Sequence, residues 1–315
     1  MSHPQARTRA FATGGRDWEA WLATAAQPAS ATEEQERDRT EARIRAAVRK
    51  ATDLPPNVLV YTKGSYANNT NVRRDADVDI AVEWNETFKV KTWGDTAGMT
   101  PAQLGYTPAD ETLSPAEFRR RVERAMISAF GSGPVDTTPD KHIGVAASTN
   151  TLDADVVACF ALNRYDAPHR AVRGHRIYPK SGARPVDNFP KQNYDNGVAK
   201  NNATGRRYKE IVRCVKRLVG ELYDDRVIPR DYPGYLLECL VYNVPNDRFG
   251  HTRRYDDMQS VFRYLWNGLG SLSTYNTWTE PSELLMLFRG RPDRIPENAR
   301  NVIEKAWQRI GIASA

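Results

Sequence analysis

The sequence predicts an α+β protein of two lobes, and three observations predict it. Short β-rich runs alternate with amphipathic helix patterns in the first half, an Arg-, Pro-, Gly- and Asn-rich stretch follows Phe160, and helical periodicity runs from Arg206 to the end, broken by Pro and Gly. Residues 1–15 are small, polar and Gly-containing and are expected to be disordered. The first lobe is expected over 16–200 and the helical lobe over 201–315.

In chain order, Ser30–Lys50 reads as a long helix, with Ser30/Glu33 and Thr32/Gln35 as capping pairs and an apolar patch at Ile44, Ala47 and Val48. NVLVYT (57–62) and DVDIAVEW (77–84) read as strands joined by a Gly-Ser turn segment, and 85–112 as a loop. Ser114 opens a second helix, with Pro115 at its first position, Glu117 at its third, and Phe118, Val122, Ala125, Met126 and Ala129 on one face. KHIGVAAS (141–148) and TLDADVVACF (151–160) read as a strand pair, and the stretch after Phe160 as a long extended connection. Helices are expected in RRYKEIVRCVKRLVGELY, PGYLLECLVYNV, RRYDDMQSVFRYLWNGL, PSELLMLF and NARNVIEKAW.

The composition is that of an ordinary soluble globular chain, with 40% hydrophobic and 27% charged residues among 315. The opening segment lacks the apolar core of a signal peptide and nothing is long enough to span a bilayer, so a cytoplasmic protein without membrane attachment is expected. Cys159, Cys214 and Cys239 are far apart in apolar segments and read as core residues, not as zinc ligands or disulfides. His142, His169, His175 and His251 show no motif spacing. A net charge of +6 suits an anionic partner without singling one out. Arg164, Arg170, Arg173, Arg176 and Tyr178 of the central connection suit either contact with a nucleotide or a salt-bridged hairpin.

The chemistry concentrates in KGSYANNTNVRRDADVDIAVEW (63–84). Asp77 and Asp79 are two apart on a strand, so both emerge from one face while Val78 and Ile80 enter the core. Asp155, with Asp153 on the same face, arrives on a later strand. Three converging carboxylates make a hard-oxygen site suited to Mg²⁺, commonly as two ions that activate a hydroxyl and steady a leaving phosphate, with Mn²⁺ as a substitute. Gly64 and Ser65 supply close backbone approach and a hydroxyl for a triphosphate, and Lys63 can assist.

This stretch resembles the signature of the DNA polymerase β-like nucleotidyltransferases, a Gly-Ser pair followed at nine to thirteen residues by Asp-x-Asp, and in particular that of the cGAS/DncV-like group (CD-NTases) of bacterial CBASS anti-phage systems. ADVVACF is similar to the strand with that family's third acid, which implies Asp155 for the role and Asp153 as runner-up. KEIVRCVKRL and PGYLLECLVYNV are similar to helices that contact the donor nucleotide. They imply Lys216, then Lys209, on the triphosphate and Tyr235 stacked on the base, with Gly234 standing where the family has a polar residue. The resemblance implies a two-lobed polymerase β-like fold with its site in the cleft, and a cyclic oligonucleotide, expected to be a purine-containing dinucleotide, made from ATP and/or GTP. An effector would be reached through that product, and E1/E2-like regulators through the C-terminus. Activation by DNA is not implied, since no zinc module like that of the animal DNA sensor is present. The alternatives are a linear, template-independent nucleotidyltransferase and a nucleotide-binding module without activity.

Overall fold

A computed structural model describes residues 15–72, 77–108, 112–229 and 232–311. It divides into two compact units, an α/β unit over 29–195 and a helical unit that joins the N-terminal segment up to Pro28 to the chain from Asn196 onward. The disorder expected over 1–15 falls almost wholly outside the described residues.

The first helix, α1 (Trp18–Ala25), is capped by Asp17, whose side chain accepts the Ala20 N–H. Its Leu22 and Ala25 enter the core of the helical unit. Helix α2 (Ala31–Lys50) begins at Ser30 in a reciprocal capping box with Glu33, a device worth about 1 kcal/mol. Ile44, Ala47 and Val48 face inward as the pattern predicts. There follow β1 (Val58–Thr62), α3 (Gly64–Asn68), β2 (Val78–Thr92), α4 (Pro101–Leu104), α5 (Pro115–Phe130), β3 (Val135–Asp136), β4 (Ile143–Val145), β5 (Ala154–Ala167), β6 (Arg170–Ile177) and β7 (Val186–Asn188). The sheet runs β1-β2-β5-β4-β3, with β6 also on β5 and β7 on β6. The β2–β5 pair is parallel and the others are antiparallel.

Strand alternation then sorts the sheet into two faces. Val78, Ile80, Val82 and Trp84 of β2 and Val156 and Phe160 of β5 pack with residues of α2 and α5 in one core. Phe118, Val122, Ala125 and Met126 of α5 are buried there, while Ala129 is exposed and belongs to the outer face. The opposite face carries Asp79, Ala81 and Glu83 of β2 beside Asp155, Val157 and Cys159 of β5.

Three stretches differ from expectation. The Gly-Ser segment is a short helix, α3, not a tight turn. The strand ending at Trp84 continues through a register shift to Thr92, because Phe88, Val90 and Thr92 find parallel partners on β5. The expected extended connection after Phe160 is regular: β5 runs on to Ala167 and turns at His169, whose φ is +59°, into β6, and Pro190 starts α6 (Pro190–Ala203). Of the hairpin arginines, Arg164 pairs with Asp166, Arg173 with Glu83 and Arg176 with Asp187.

The helical unit contains α7 (Arg207–Asp224), α8 (Gly234–Tyr242), α9 (Arg254–Leu269), α10 (Leu272–Tyr275) and α11 (Pro296–Arg309). PSELLMLF is not the expected helix. Glu283 is left-handed at φ +61°, Thr279 bridges Met286, and the nearly buried Glu280 is held by Arg294 at 2.8 Å and Arg291 at 3.3 Å. No helix among the described residues is long and apolar enough to cross a membrane.

Lys200 of α6, within this unit, donates to the Val244 carbonyl at 2.6 Å and to Asn246 Oδ1 at 2.8 Å. Its Nζ lies 5.4–5.8 Å from the rings of Tyr208, Tyr242 and Phe249. Burial lowers its pKa from 10.5 to about 8. Between those values the unfolded chain binds more protons than the folded one, so stability rises with pH across that window and is flat below it. Lys200→Met is expected to lose the rise, measured as the denaturant midpoint at pH 8 against pH 10 in both proteins.

Candidate active site

The strand order places the sequence-predicted acids together. Asp79 and Asp155 are register partners on the parallel strands β2 and β5, and Val78 and Ile80 are 0% exposed on the other face. Asp77 is the exposed residue just ahead of β2. Asp153, one step before β5, has local duties: its carbonyl accepts the Val78 N–H at 2.8 Å and its Oδ1 accepts the Ala147 N–H at 2.7 Å. These bonds align the two strand starts and take up one of its carboxylate oxygens.

Gly64 fits against the acids as only glycine can. A Cβ there would lie 2.2 Å from Asp79 Oδ2, and its φ is +69°. Lys63 holds Asp79 from two sides, its N–H on the Asp79 carbonyl at 2.8 Å and its Nζ on Oδ1 at 2.8 Å. Helix α2 buttresses this corner, because Glu41 accepts both the Thr62 N–H at 3.0 Å and its hydroxyl at 2.6 Å. Thr40 accepts the Leu152 N–H at 2.9 Å near the start of β5. Neither residue is legible as a site residue from sequence, since both read as ordinary positions on a charged helix. His142, which has no motif spacing, places Nε2 3.2 Å from Asp155 Oδ1.

Partial burial and mutual repulsion mark these carboxylates. Asp155 is pushed up to about 6, chiefly by burial and then by Asp77 and Asp79, against the opposing pull of His142 and Lys63. Burial and the charge of Asp153, with a smaller contribution from Asp79, raise Asp77 as well. Asp77 and Asp155, held back from ionising, stand with Asp79 as hard oxygen donors in a set that a divalent cation relieves. The residues present therefore fit Mg²⁺.

Ser65 follows Gly64 in α3. The other predicted nucleotide contacts, Lys216, Lys209 and Tyr235, lie in the helical unit. Lys216 is 8% exposed and pairs with the buried Glu238 at 3.0 Å. The Tyr235 hydroxyl donates to Glu280 at 2.8 Å. Lys209 is half-buried, with its N–H on Asn201 Oδ1 at 3.0 Å. Gly234 leaves room beside Lys216: an added Cβ would meet its methylenes at 3.7 Å, an ordinary contact.

Residues 195–311 match the family of cGAS/DncV-like nucleotidyltransferase C-terminal helical domains. Across 93% of the chain and 98% of the relative, the sequence is 35% identical to a cyclic dipyrimidine nucleotide synthase, CdnE, of Legionella pneumophila. The chain belongs to the cGAS/DncV-like nucleotidyltransferases. Two further comparisons place this CD-NTase among enzymes of differing product. A cyclic dipurine nucleotide synthase of Elizabethkingia meningoseptica is 30% identical over 90% of the chain and 95% of the relative. The solved structure of the Rhodothermus marinus CdnE c-UMP-AMP synthase with Apcpp and Upnpp superposes with a TM-score of 0.79 at 28% identity, covering 94% and 98% of the two chains. The expected polymerase β-like fold class and nucleotidyltransferase membership are thus borne out.

Proposed function

We propose that this CD-NTase joins nucleoside triphosphates into a cyclic dinucleotide at Asp77, Asp79 and Asp155. The register pairing of Asp79 with Asp155, backed by Gly64, carries the reading, and the names of the relatives support it. The three carboxylates would hold two Mg²⁺ ions, with Mn²⁺ as a substitute, and the ions would supply activation of the attacking hydroxyl and neutralisation of the leaving phosphate. Lys63 keeps Asp79 oriented and His142 does the same for Asp155. Ser65 would donate to the triphosphate, and Lys216, Lys209 and Tyr235 would hold the donor nucleotide.

The product is proposed to contain a purine, drawn from ATP and/or GTP. A dipyrimidine product is the second reading, favoured by the Legionella relative at 35% identity. The setting proposed is cytoplasmic anti-phage signalling of the CBASS type, in which an effector reads the cyclic product. E1/E2-like regulation through the C-terminus concerns residues 312–315, outside the described residues.

Incubation of the pure protein with Mg²⁺ and all four NTPs, followed by mass spectrometry, identifies the bases. Label from [α-³²P]NTPs is expected to survive phosphatase and run as one compact species. Phosphatase-sensitive label or a ladder of lengths would establish the linear polymerase instead.

For the donor contacts the buried pairing decides how to test. Lys216→Ala would take the 3.0 Å charge partner from the buried Glu238, a loss that costs roughly 3–5 kcal/mol in a buried pair. The double variant Lys216→Met/Glu238→Gln removes both charges together. It is expected to weaken NTP binding about tenfold or more through loss of a charge-assisted contact while keeping a cooperative unfolding transition. Unchanged NTP affinity in the folded variant would return Lys216 to a purely structural role.

A further inference from the structure

Farther along the face that carries the acids, the sheet buries a second constellation of ligand-bearing side chains. Glu83 of β2, Cys159 of β5 and His175 of β6 are 4%, 0% and 0% exposed. One ligand atom from each lies within 4.8 Å of the other two. Glu83 and Cys159 are register partners, and His175 pairs with Ala161, two residues beyond Cys159 on the same face. Three adjacent strands therefore converge sulfur, imidazole nitrogen and carboxylate oxygen on one interior point.

We propose that Glu83, Cys159 and His175 form a buried site for a borderline-soft divalent ion of the zinc class. The donor set separates it from the acid site: thiolate and imidazole suit zinc and cobalt, whereas Mg²⁺ prefers oxygen alone. In a tetrahedral zinc site the ligand atoms stand about 3.3–3.6 Å apart. Glu83 Oε2 and His175 Nδ1 are 4.0 Å apart and the three ligand atoms lie within 4.8 Å of one another, so binding requires side-chain rotations that draw them together. Glu83 Oε1 is engaged by Arg173 at 2.8 Å, which turns Oε2 toward the cluster. The Tyr61 hydroxyl stands between two of the ligand atoms, donating to Glu83 Oε2 at 2.7 Å and 2.9 Å from His175 Nδ1, and it turns outward as an ion takes over these two contacts.

The remaining groups act as supports. Asn188 Nδ2 lies 3.4 Å from His175 Nε2, so a flip of the Asn188 amide brings Oδ1 to accept the Nε2–H that a metal on Nδ1 requires. The Cys159 thiol has a weak contact with the Val82 carbonyl at 3.8 Å. Binding forms a metal–sulfur bond and breaks the S–H bond, and the proton leaves to solvent. This revises the reading of Cys159 as a core residue only, which holds for Cys214 and Cys239, both buried.

The test uses the full chain carrying Asp77→Asn and Asp79→Asn, so that no ion at the acid site is counted. It is produced in cobalt-supplemented medium so that the ion is present during folding, then washed with a chelator. The expected result is one cobalt per chain, tetrahedral ligand-field bands and a sulfur-to-cobalt charge-transfer band. Cys159→Ser should lose the charge-transfer band, and His175→Ala should lose the bound cobalt. A protein without the charge-transfer band, or one whose cobalt content and spectrum survive Cys159→Ser, overturns the proposal. The readout is independent of catalysis: the cobalt content and spectrum of this double variant, which is expected to make no product, bear on the buried site alone. A cobalt-loaded wild-type chain that made no product from NTPs would count against the proposed synthase and not against this site.

Discussion

Asp77→Asn combined with Asp79→Asn is expected to abolish product formation from NTPs while leaving the fold intact. Neutral amides cannot balance divalent ions, so the loss should reach the limit of detection by mass spectrometry. The fold should survive because the two acids repel each other and Asp155, so their removal relieves charge crowding, and the core under them is made by Val78 and Ile80. A melting temperature near that of the wild type with measurable turnover would sink the assignment. The third position has its own discriminator. Asp155→Asn should cost more activity than Asp153→Asn, whose carboxylate bonds the Ala147 N–H instead of facing Asp79 across the strands. The reverse order would move the third ligand to Asp153.

Gly64→Ala is the second large effect. The added methyl would sit 2.2 Å from Asp79 Oδ2 on a backbone at φ +69°, so Asp79 must move or α3 must shift. A displacement on the order of 1 Å at a reacting constellation costs about a hundredfold in rate, and a non-glycine residue in the left-handed region adds roughly 1–3 kcal/mol of instability. The expected outcome is a turnover loss of that order with a modest fall in melting temperature. Gly133→Ala, where an added Cβ meets nothing within 4 Å, serves as the control. Near-normal turnover in Gly64→Ala would show that Asp79 tolerates displacement and that the glycine is conformational only.

The acids were legible because strand alternation is a strict rule: two aspartates two apart in an apolar run must share a face. The helix at Ser30 was legible for the equally local reason that a serine and a glutamate three residues on satisfy each other's backbone partners. What escaped is non-local. His142 reaches Asp155 only because β4 pairs with the start of β5, and Glu41 reaches Thr62 only because α2 packs beside β1. The stretch 161–203 misled because its Arg, Asn and Gly content suggests loop, while cross-strand pairing and the ion pairs of Arg164, Arg173 and Arg176 supply what propensity lacks. PSELLMLF misled in the other direction: its apolar residues are spaced for a helix, yet the left-handed Glu283 and the anchoring of Glu280 bend it back on itself.

The parallel pairing of β2 with β5 also bears on how the molecule is born. Asp79 and Asp155 stand on opposite sides of α5, β3 and β4 in the chain, so their meeting requires closure of a long loop, a step whose entropic cost comes before any contact repays it. A ribosome-bound chain that has emerged only through β4 already displays the Gly-Ser and Asp-x-Asp segment but has no third carboxylate to set beside Asp79. Competence for chemistry therefore cannot precede the pairing of β5 with β2, and truncated or misfolded copies are expected to be silent, not leaky.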